Sequence, residues 1–241
     1  MRFQEDDAEM KVIVITAENF LERETDALHL LFENGLKVLH LRKPRASQNE
    51  MKAFIEQLKA EFYPRIVLHD YYDLTELFDL KGIHLNCRNQ EAFFKKIDAD
   101  GIVGLPSGRP VSESNNAIEN DCFFLKGRLS TSRSCHSLEE VAESRFFDYL
   151  FLSPVFDSIS KAGYKQGFMP EQLAEAKKKK IIDEKVIALG GITAENLPLV
   201  RNYGFGGIAV LGALWSGFER NNDMNELLKR FNELKIICED Q

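Results

Sequence analysis

Cysteine is sparse in this chain and poorly placed for metal chemistry. Its four cysteines, Cys87, Cys122, Cys135 and Cys238, are widely scattered, and none forms the C-x-x-C pair that marks zinc ribbons and dithiol redox centres. Reduced thiols are the reading this leaves. Long apolar runs are missing as well: no stretch approaches the ~18 to 20 residues that cross a bilayer. The first residues carry Glu5, Asp6, Asp7 and Glu9, where a secretory signal would place basic and then apolar residues. We therefore expect a cytoplasmic protein with no membrane partner. An excess of positive charge is absent too. Lys and Arg number 31 against 38 Asp and Glu, for a formal charge of −7, so nothing in the balance recruits a nucleic-acid backbone, although a single phosphate needs only local positive potential. Two motifs are also absent. No Gly-x-Gly-x-x-Gly follows the first strand-like run, which argues against a dinucleotide-binding doubly wound sheet. No His-x-His pair or His-Glu helix motif occurs either, which argues against a transition-metal site.

What the chain does have is alternation. Short β-branched and aliphatic runs alternate with stretches of helical periodicity, the pattern of repeated βα units. We read strands at 12–16, 37–41, 65–69, 82–85, 129–134, 149–153, 185–189 and 207–211. Helices are expected near 23–34, 48–61, 72–79, 90–97, 137–145, 170–181, 194–203 and 223–237. Eight βα pairs in 241 residues predict one α/β domain, a closed (β/α)8 TIM barrel. Residues 1–9 read as an unstructured extension ahead of a barrel spanning 10–241. Residues 98–128 gather Gly101, Gly104, Pro106, Gly108 and Pro110 with no clear period, so they read as an insertion between strands 4 and 5.

Chemistry gathers where the strands end. Strand 7 runs into Gly190-Gly191 and strand 8 into Gly212. Glycines there let backbone N–H groups approach a phosphate, with a helix dipole behind them, although barrels also use small residues simply for tight turns. The loop from Ser153 to Gly163 adds hydroxyls, including Ser158, and one cation, Lys161. His40, His69, His84 and His136 lie at or just past the ends of strands 2, 3, 4 and 5, the face where barrel enzymes work. His40 and Arg42 are two apart and so share a face. An imidazole there suits proton transfer, or it is simply neutral and hydrogen-bonded in the core. His84, inside Gly-Ile-His-Leu, fits the second reading better.

Taken in order, Leu39-His40-Leu41-Arg42, His69-Asp70, Gly82-Ile83-His84-Leu85, Ser134-Cys135-His136-Ser137-Leu138-Glu139-Glu140, Asp148-Tyr149 through Ser153-Pro154-Val155-Phe156, Lys161, Ala188 to Ile192 with Asn196, and Gly207 to Gly212 resemble the thiamine phosphate synthase/TenI family. The resemblance runs from Val12 to about Leu214. It implies a TIM barrel acting on a small phosphorylated thiazole, with a homo-oligomer left open. The synthase branch joins a pyrimidine diphosphate to a thiazole phosphate with Mg²⁺. Its Gln-x-Arg-x-Lys pattern reads His40-Leu41-Arg42-Lys43-Pro44 here, and its Asn-Asp pair reads His69-Asp70. Its later aspartate falls near Asn89, so Asp70 is the one clear metal ligand. Lys43 lies one position from the missing lysine, where an adjacent strand residue points to the other face. The TenI branch, whose resemblance is closer at these places, aromatises a thiazole carboxylate phosphate by moving a proton and needs no cofactor or metal. On that reading His136 is the acid/base, with Arg42 and Lys161 holding anionic oxygens. His40, His69, Ser134, Ser158, Gly190, Gly191 and Gly212 then contact substrate and phosphate. The sequence reading thus leads with a thiazole tautomerase, an isomerase. The alternative is a thiamine phosphate synthase with Mg²⁺ at Asp70, and the third is a catalytically silent phosphate-binding barrel.

Overall fold

A computed structural model describes residues 10–86, 129–157 and 167–239. Its strands are β1 (Lys11–Ile15), β2 (Val38–Leu41), β3 (Ile66–Leu68), β4 (Gly82–Leu85), β5 (Ser130–Cys135), β6 (Tyr149–Leu152), β7 (Val186–Leu189) and β8 (Gly207–Val210). They pair in sequence order, all parallel, and β8 returns to β1 to close an eight-stranded barrel. The TIM-barrel expectation is therefore met. No helix among the described residues is long and apolar enough to cross a membrane.

Period-two alternation divides each strand between two cores. Outward residues such as Leu39, Leu41, Ile83, Leu85, Leu150, Leu152, Ile208 and Val210 join one continuous layer beneath the helices. A separate cluster fills the barrel, made by Ile13, Ile15, Tyr149, Phe151, Ile187 and Ala209. Inward and outward residues are both apolar on most strands. This is why the strands read as short hydrophobic runs.

Beyond the shortening of 137–145, 170–181 and 194–203 to Leu138–Glu143, Pro170–Lys178 and Leu197–Asn202, the helices differ from expectation in four places. The stretch 48–61 breaks into a helix over Gln48–Glu56 and a 3₁₀ turn over Ala60–Arg65. The segment at 72–79 shrinks to one turn, Leu74–Leu77. The third difference is a helix the sequence reading omitted, Gly212–Asn221, which follows β8 directly. Its buried face is Leu214, Trp215, Gly217 and Phe218. Two glycines in ten residues disguised that periodicity. Trp215 fastens the helix across the barrel end, its indole N–H donating to the Ile15 carbonyl at 2.8 Å. Fourth, the last helix, Met224–Glu239, starts one residue later and ends two residues later than expected. The expected helix at 90–97, the insertion 98–128 and the extension 1–9 lie outside the described residues.

Candidate active site

The alternation that builds the barrel also aims its polar side chains. On β2, Val38 and His40 face inward, and Arg42 continues that row just past the strand. His69 follows β3, His84 lies on β4, and Ser132 and Ser134 share one face of β5. His84 pairs in register with Ser132, and Ser132 with Tyr149. The barrel interior is thereby divided: apolar from β6 round to β1, polar from β2 to β5.

The polar half is a connected network. His40 Nδ1 lies 2.9 Å from His69 Nε2, and His40 Nε2 lies 2.7 Å from the Tyr149 hydroxyl. His84 is held between two serines, with Nδ1 2.8 Å from Ser132 Oγ and Nε2 2.8 Å from Ser134 Oγ. The His69 and His84 rings stack with centroids 4.2 Å apart, and Phe151 packs against both His40 and His84. Above them Tyr72 donates to the carbonyls of His69 and His84, tying the ends of β3 and β4 together. Burial holds His40 and His69 well below the usual imidazole range, and neighbouring histidines add to the effect. His84 is pushed down to about 3 by burial, with the Arg42 charge contributing. All three rings are therefore neutral at physiological pH.

His40 is fully buried and His69 nearly so, which refines their expected role. His40 forms the floor of the mouth beneath His69, where Tyr149 and His69 already engage both its nitrogens. Ser134 is half-buried beside them. Arg42 is partly exposed at the rim, and its guanidinium meets Glu18 at 2.9 Å. Its backbone is clamped by reciprocal bonds with the Thr16 hydroxyl. Asp70 follows His69 and is partly buried.

Lys43 points to the opposite face, as strand alternation requires. Its ammonium lies 2.6 Å from both Glu24 carboxylate oxygens and donates to the carbonyls of Ala17 and Asn19. Burial raises the Glu24 carboxyl and lowers the Lys43 ammonium, while their mutual attraction opposes both shifts. Lys43 thus anchors the β1 loop that presents Glu18 and does not replace the missing lysine.

His136 stands apart, exposed after β5. Its backbone N–H donates to Glu140, and its Nδ1 lies 3.0 Å from the Ser153 carbonyl. A carbonyl only accepts, so Nδ1 carries the proton and Nε2 is the basic nitrogen. Asp148, beside the inward Tyr149, plays a structural part. Its carboxylate accepts from the Thr131 N–H at 2.7 Å and hydroxyl at 3.1 Å.

Gly190 and Gly191 both have left-handed backbones, φ +98° and +66°. A Cβ on Gly191 would stand 2.2 Å from the Asp157 carbonyl oxygen, and one on Gly190 3.0 Å from Pro154. Their first demand is therefore close packing against the β6 loop. Asn196 fixes the same turn, donating to the Gly191 carbonyl and accepting from the Thr193 N–H. Gly212 is the first residue of its helix, whose N-terminus no side chain caps. Lys161 and Ser158 fall outside the described residues, as does Asn89.

Sequence reading missed Tyr149, Ser132 and Tyr72. The alternation of Tyr149 with Phe151 was the available signal for the first. No local histidine motif signals the cluster, because His40, His69 and His84 come together from the ends of three different strands.

A closed parallel eight-stranded barrel with an uncapped helix start beyond β8, and with Arg42, His69 and Asp70 at the ends of β2 and β3, defines the class as a TIM-barrel protein. Comparison places the chain within that class. The thiamine monophosphate synthase family model matches residues 108–214. A thiamine-phosphate synthase of Helicobacter pylori (strain Shi470) is 33% identical over 223 residues, covering 86% of this chain and 98% of the relative. The crystal structure of a thiamine phosphate pyrophosphorylase from Bacteroides thetaiotaomicron superposes with a TM-score of 0.71 at 35% identity, covering 95% and 97% of the two chains. A thiamine phosphate pyrophosphorylase from Pyrococcus furiosus shares the fold, with a TM-score of 0.65 at 23% identity and coverage of 96% of each chain. The chain belongs to the thiamine monophosphate synthase/TenI family.

Proposed function

We propose that this chain is a thiamine-phosphate synthase, a transferase that joins a hydroxymethylpyrimidine diphosphate to a hydroxyethylthiazole phosphate and releases diphosphate. The observation that carries the reading is the full-length likeness to synthases at 33% and 35% identity. It favours the synthase over the tautomerase with which the sequence reading leads.

The geometry supports division of labour across the mouth. The thiazole phosphate takes the β7–β8 side. There the uncapped start of Gly212–Asn221 presents backbone N–H groups and a positive dipole end. The diphosphate takes the β2–β3 side, where Arg42 can exchange its rim contact with Glu18 for the incoming anion through paired N–H donors. His69 and Ser134 offer further hydrogen bonds there, Lys161 and Ser158 belong to the loop after β6, and Gly190 and Gly191 shape the turn between the two sides.

A divalent ion fits the donors at this edge, since Mg²⁺ binds through one or two carboxylates and completes its shell with substrate oxygens and water. Asp70 would hold it. Held there, Mg²⁺ would supply positive charge to neutralise a departing diphosphate. The neutral histidine floor takes no charge of its own, so it leaves that task to Arg42 and the ion.

A second reading, proton transfer by His136 on a thiazole carboxylate phosphate, has one observation in its favour. The Ser153 carbonyl fixes the tautomer that leaves Nε2 basic. Two assays on the same preparation separate the readings: coupling of the two substrates with Mg²⁺, and aromatisation in chelator. Coupling that chelator abolishes is the expected result. Aromatisation without coupling would overturn the proposal, and binding of thiazole phosphate with neither activity would mark a silent barrel.

A further inference from the structure

His40 and His84 have no part in phosphate binding, yet with His69 they form a cluster in which each ring offers one nitrogen within 4.8 Å of the other two. The geometry points to a three-histidine site for a divalent transition ion of the zinc or cobalt kind, set in the floor of the barrel mouth and separate from the Asp70 carboxylate edge.

The donor type is the first argument. Imidazole nitrogen selects zinc, cobalt, nickel or copper over magnesium, and three protein ligands with an open fourth position is the arrangement of reactive zinc centres. The second argument is the support behind the rings. A ligating histidine usually commits its other ring nitrogen to an acceptor, which fixes the tautomer and aims the lone pair. His40 Nε2 is committed to Tyr149 and His84 Nδ1 to Ser132. An ion would take His40 Nδ1 and His69 Nε2, which face each other at 2.9 Å, and His84 Nε2, which faces Ser134. Ser134, which His84 Nε2 would release, is half-buried and can turn to solvent.

Distances fit with modest movement. Tetrahedral coordination with bonds near 2.05 Å separates the nitrogens by about 3.3 Å. The 2.9 Å His40–His69 pair opens slightly, and the remaining pairs, all within 4.8 Å, close by small rotations of the three rings. The fourth position faces the mouth, where an anionic oxygen or water completes the shell.

The test titrates Co²⁺ alone into full-length, chelator-stripped protein, using visible d–d absorption and calorimetry. One Co²⁺ per chain with four-coordinate absorption is expected, together with hyperfine-shifted ring signals from three histidines in the proton NMR spectrum. His69→Asn and His40→Gln should each weaken binding at least ~10-fold, with circular dichroism checking that they fold. Asp70→Asn should leave binding unchanged. Signals from fewer than three histidines overturn the site whether or not the variants fold. So does binding that survives both histidine variants, or that disappears when the cysteines are alkylated. The site does not depend on the synthase reading: Co²⁺ binding without coupling activity would leave it standing, and coupling activity without Co²⁺ binding would remove it alone.

Discussion

The two halves of the barrel interior use one backbone for different ends. From β6 round to β1 the inward residues are Tyr149, Phe151, Ile187, Ala209, Ile13 and Ile15, and they pack as a small apolar cluster. From β2 to β5 they include His40, His69, His84, Ser132 and Ser134, tied by hydrogen bonds of 2.7 to 2.9 Å. Strand pairing and alternation are the same in both halves. An apolar side chain needs only a neighbour of suitable size, whereas a buried imidazole needs a partner at a set distance and angle. The apolar half therefore supplies stability that tolerates substitution of similar volume, and the polar half supplies a fixed constellation with little tolerance. Tyr149 and Phe151 lie at the boundary, and each touches His40.

Acid should break the comparison most strongly, because it acts on the polar half alone. The three rings have depressed values in the folded protein, and His84 titrates at about 3. Below the unfolded value near 6.5 the unfolded chain thus binds more protons than the folded one. Their contribution is fully present above that pH and is lost progressively as pH falls, by about 1.4 kcal/mol per pH unit for each ring. Urea unfolding from about pH 7.5 to about 4.5 should show this slope. His69→Asn should make it shallower by about one ring's share, and parallel slopes would show that His69 is not held neutral.

Phe151→Ala comes next and probes the boundary. Removing a fully buried phenylalanine should lower stability by about 3–5 kcal/mol. It should also loosen His40 and His84, which rest on that ring. Denaturant midpoints measure the first effect, and line widths of the histidine ring signals measure the second. A large loss of stability with unchanged ring signals would mean that the halves are mechanically independent.

Arg42→Ala tests the rim above the polar half. Its loss should raise KM for the pyrimidine diphosphate by about 10- to 100-fold, the scale of one charge-assisted anion contact. Stability should change by less than about 1 kcal/mol, since the Glu18 pair it breaks is partly exposed at the rim. Steady-state coupling rates and denaturant midpoints read the two numbers. A stability loss with unchanged KM would make Arg42 a strut for the β1 loop.

The legibility of the sequence follows the same division. All eight strands could be read because their outward residues, such as Leu39, Leu41, Leu150 and Leu152, are apolar and regularly spaced. Gly190, Gly191 and Asn196 were legible as a turn because a left-handed backbone demands glycine. The histidine network was not legible as a cluster. The contacts His40–His69 and His84–Ser132 span 29 and 48 residues along the chain, so no local window contains either bonded pair. The resemblance to the family flagged His40 and His69 as substitutions, but barrel closure is what joins them. The helix at Gly212–Asn221 was missed for a local reason, since glycine at 212 and 217 weakened a pattern that Trp215 and Phe218 complete in space.

The smallest expected effect gives the sharpest comparison within the polar half, because two serines bond the two nitrogens of one ring. Ser132 and Ser134 both stand 2.8 Å from His84, yet Ser132 is fully buried and Ser134 only partly. Ser132→Ala would leave His84 Nδ1 without a partner in a dry setting, which costs about 1–3 kcal/mol. It would also remove a hydroxyl that bonds Tyr149. Ser134→Ala should cost about 0.5–1 kcal/mol, because solvent at the mouth can replace the lost hydroxyl. Denaturant midpoints of both variants, measured near pH 7.5 where the rings are neutral, give the ratio. A loss for Ser134→Ala equal to that for Ser132→Ala would mean that solvent does not reach His84 Nε2. In that case the nitrogen we assign to metal would be sealed from the mouth, and the three-histidine site would lose its route of entry.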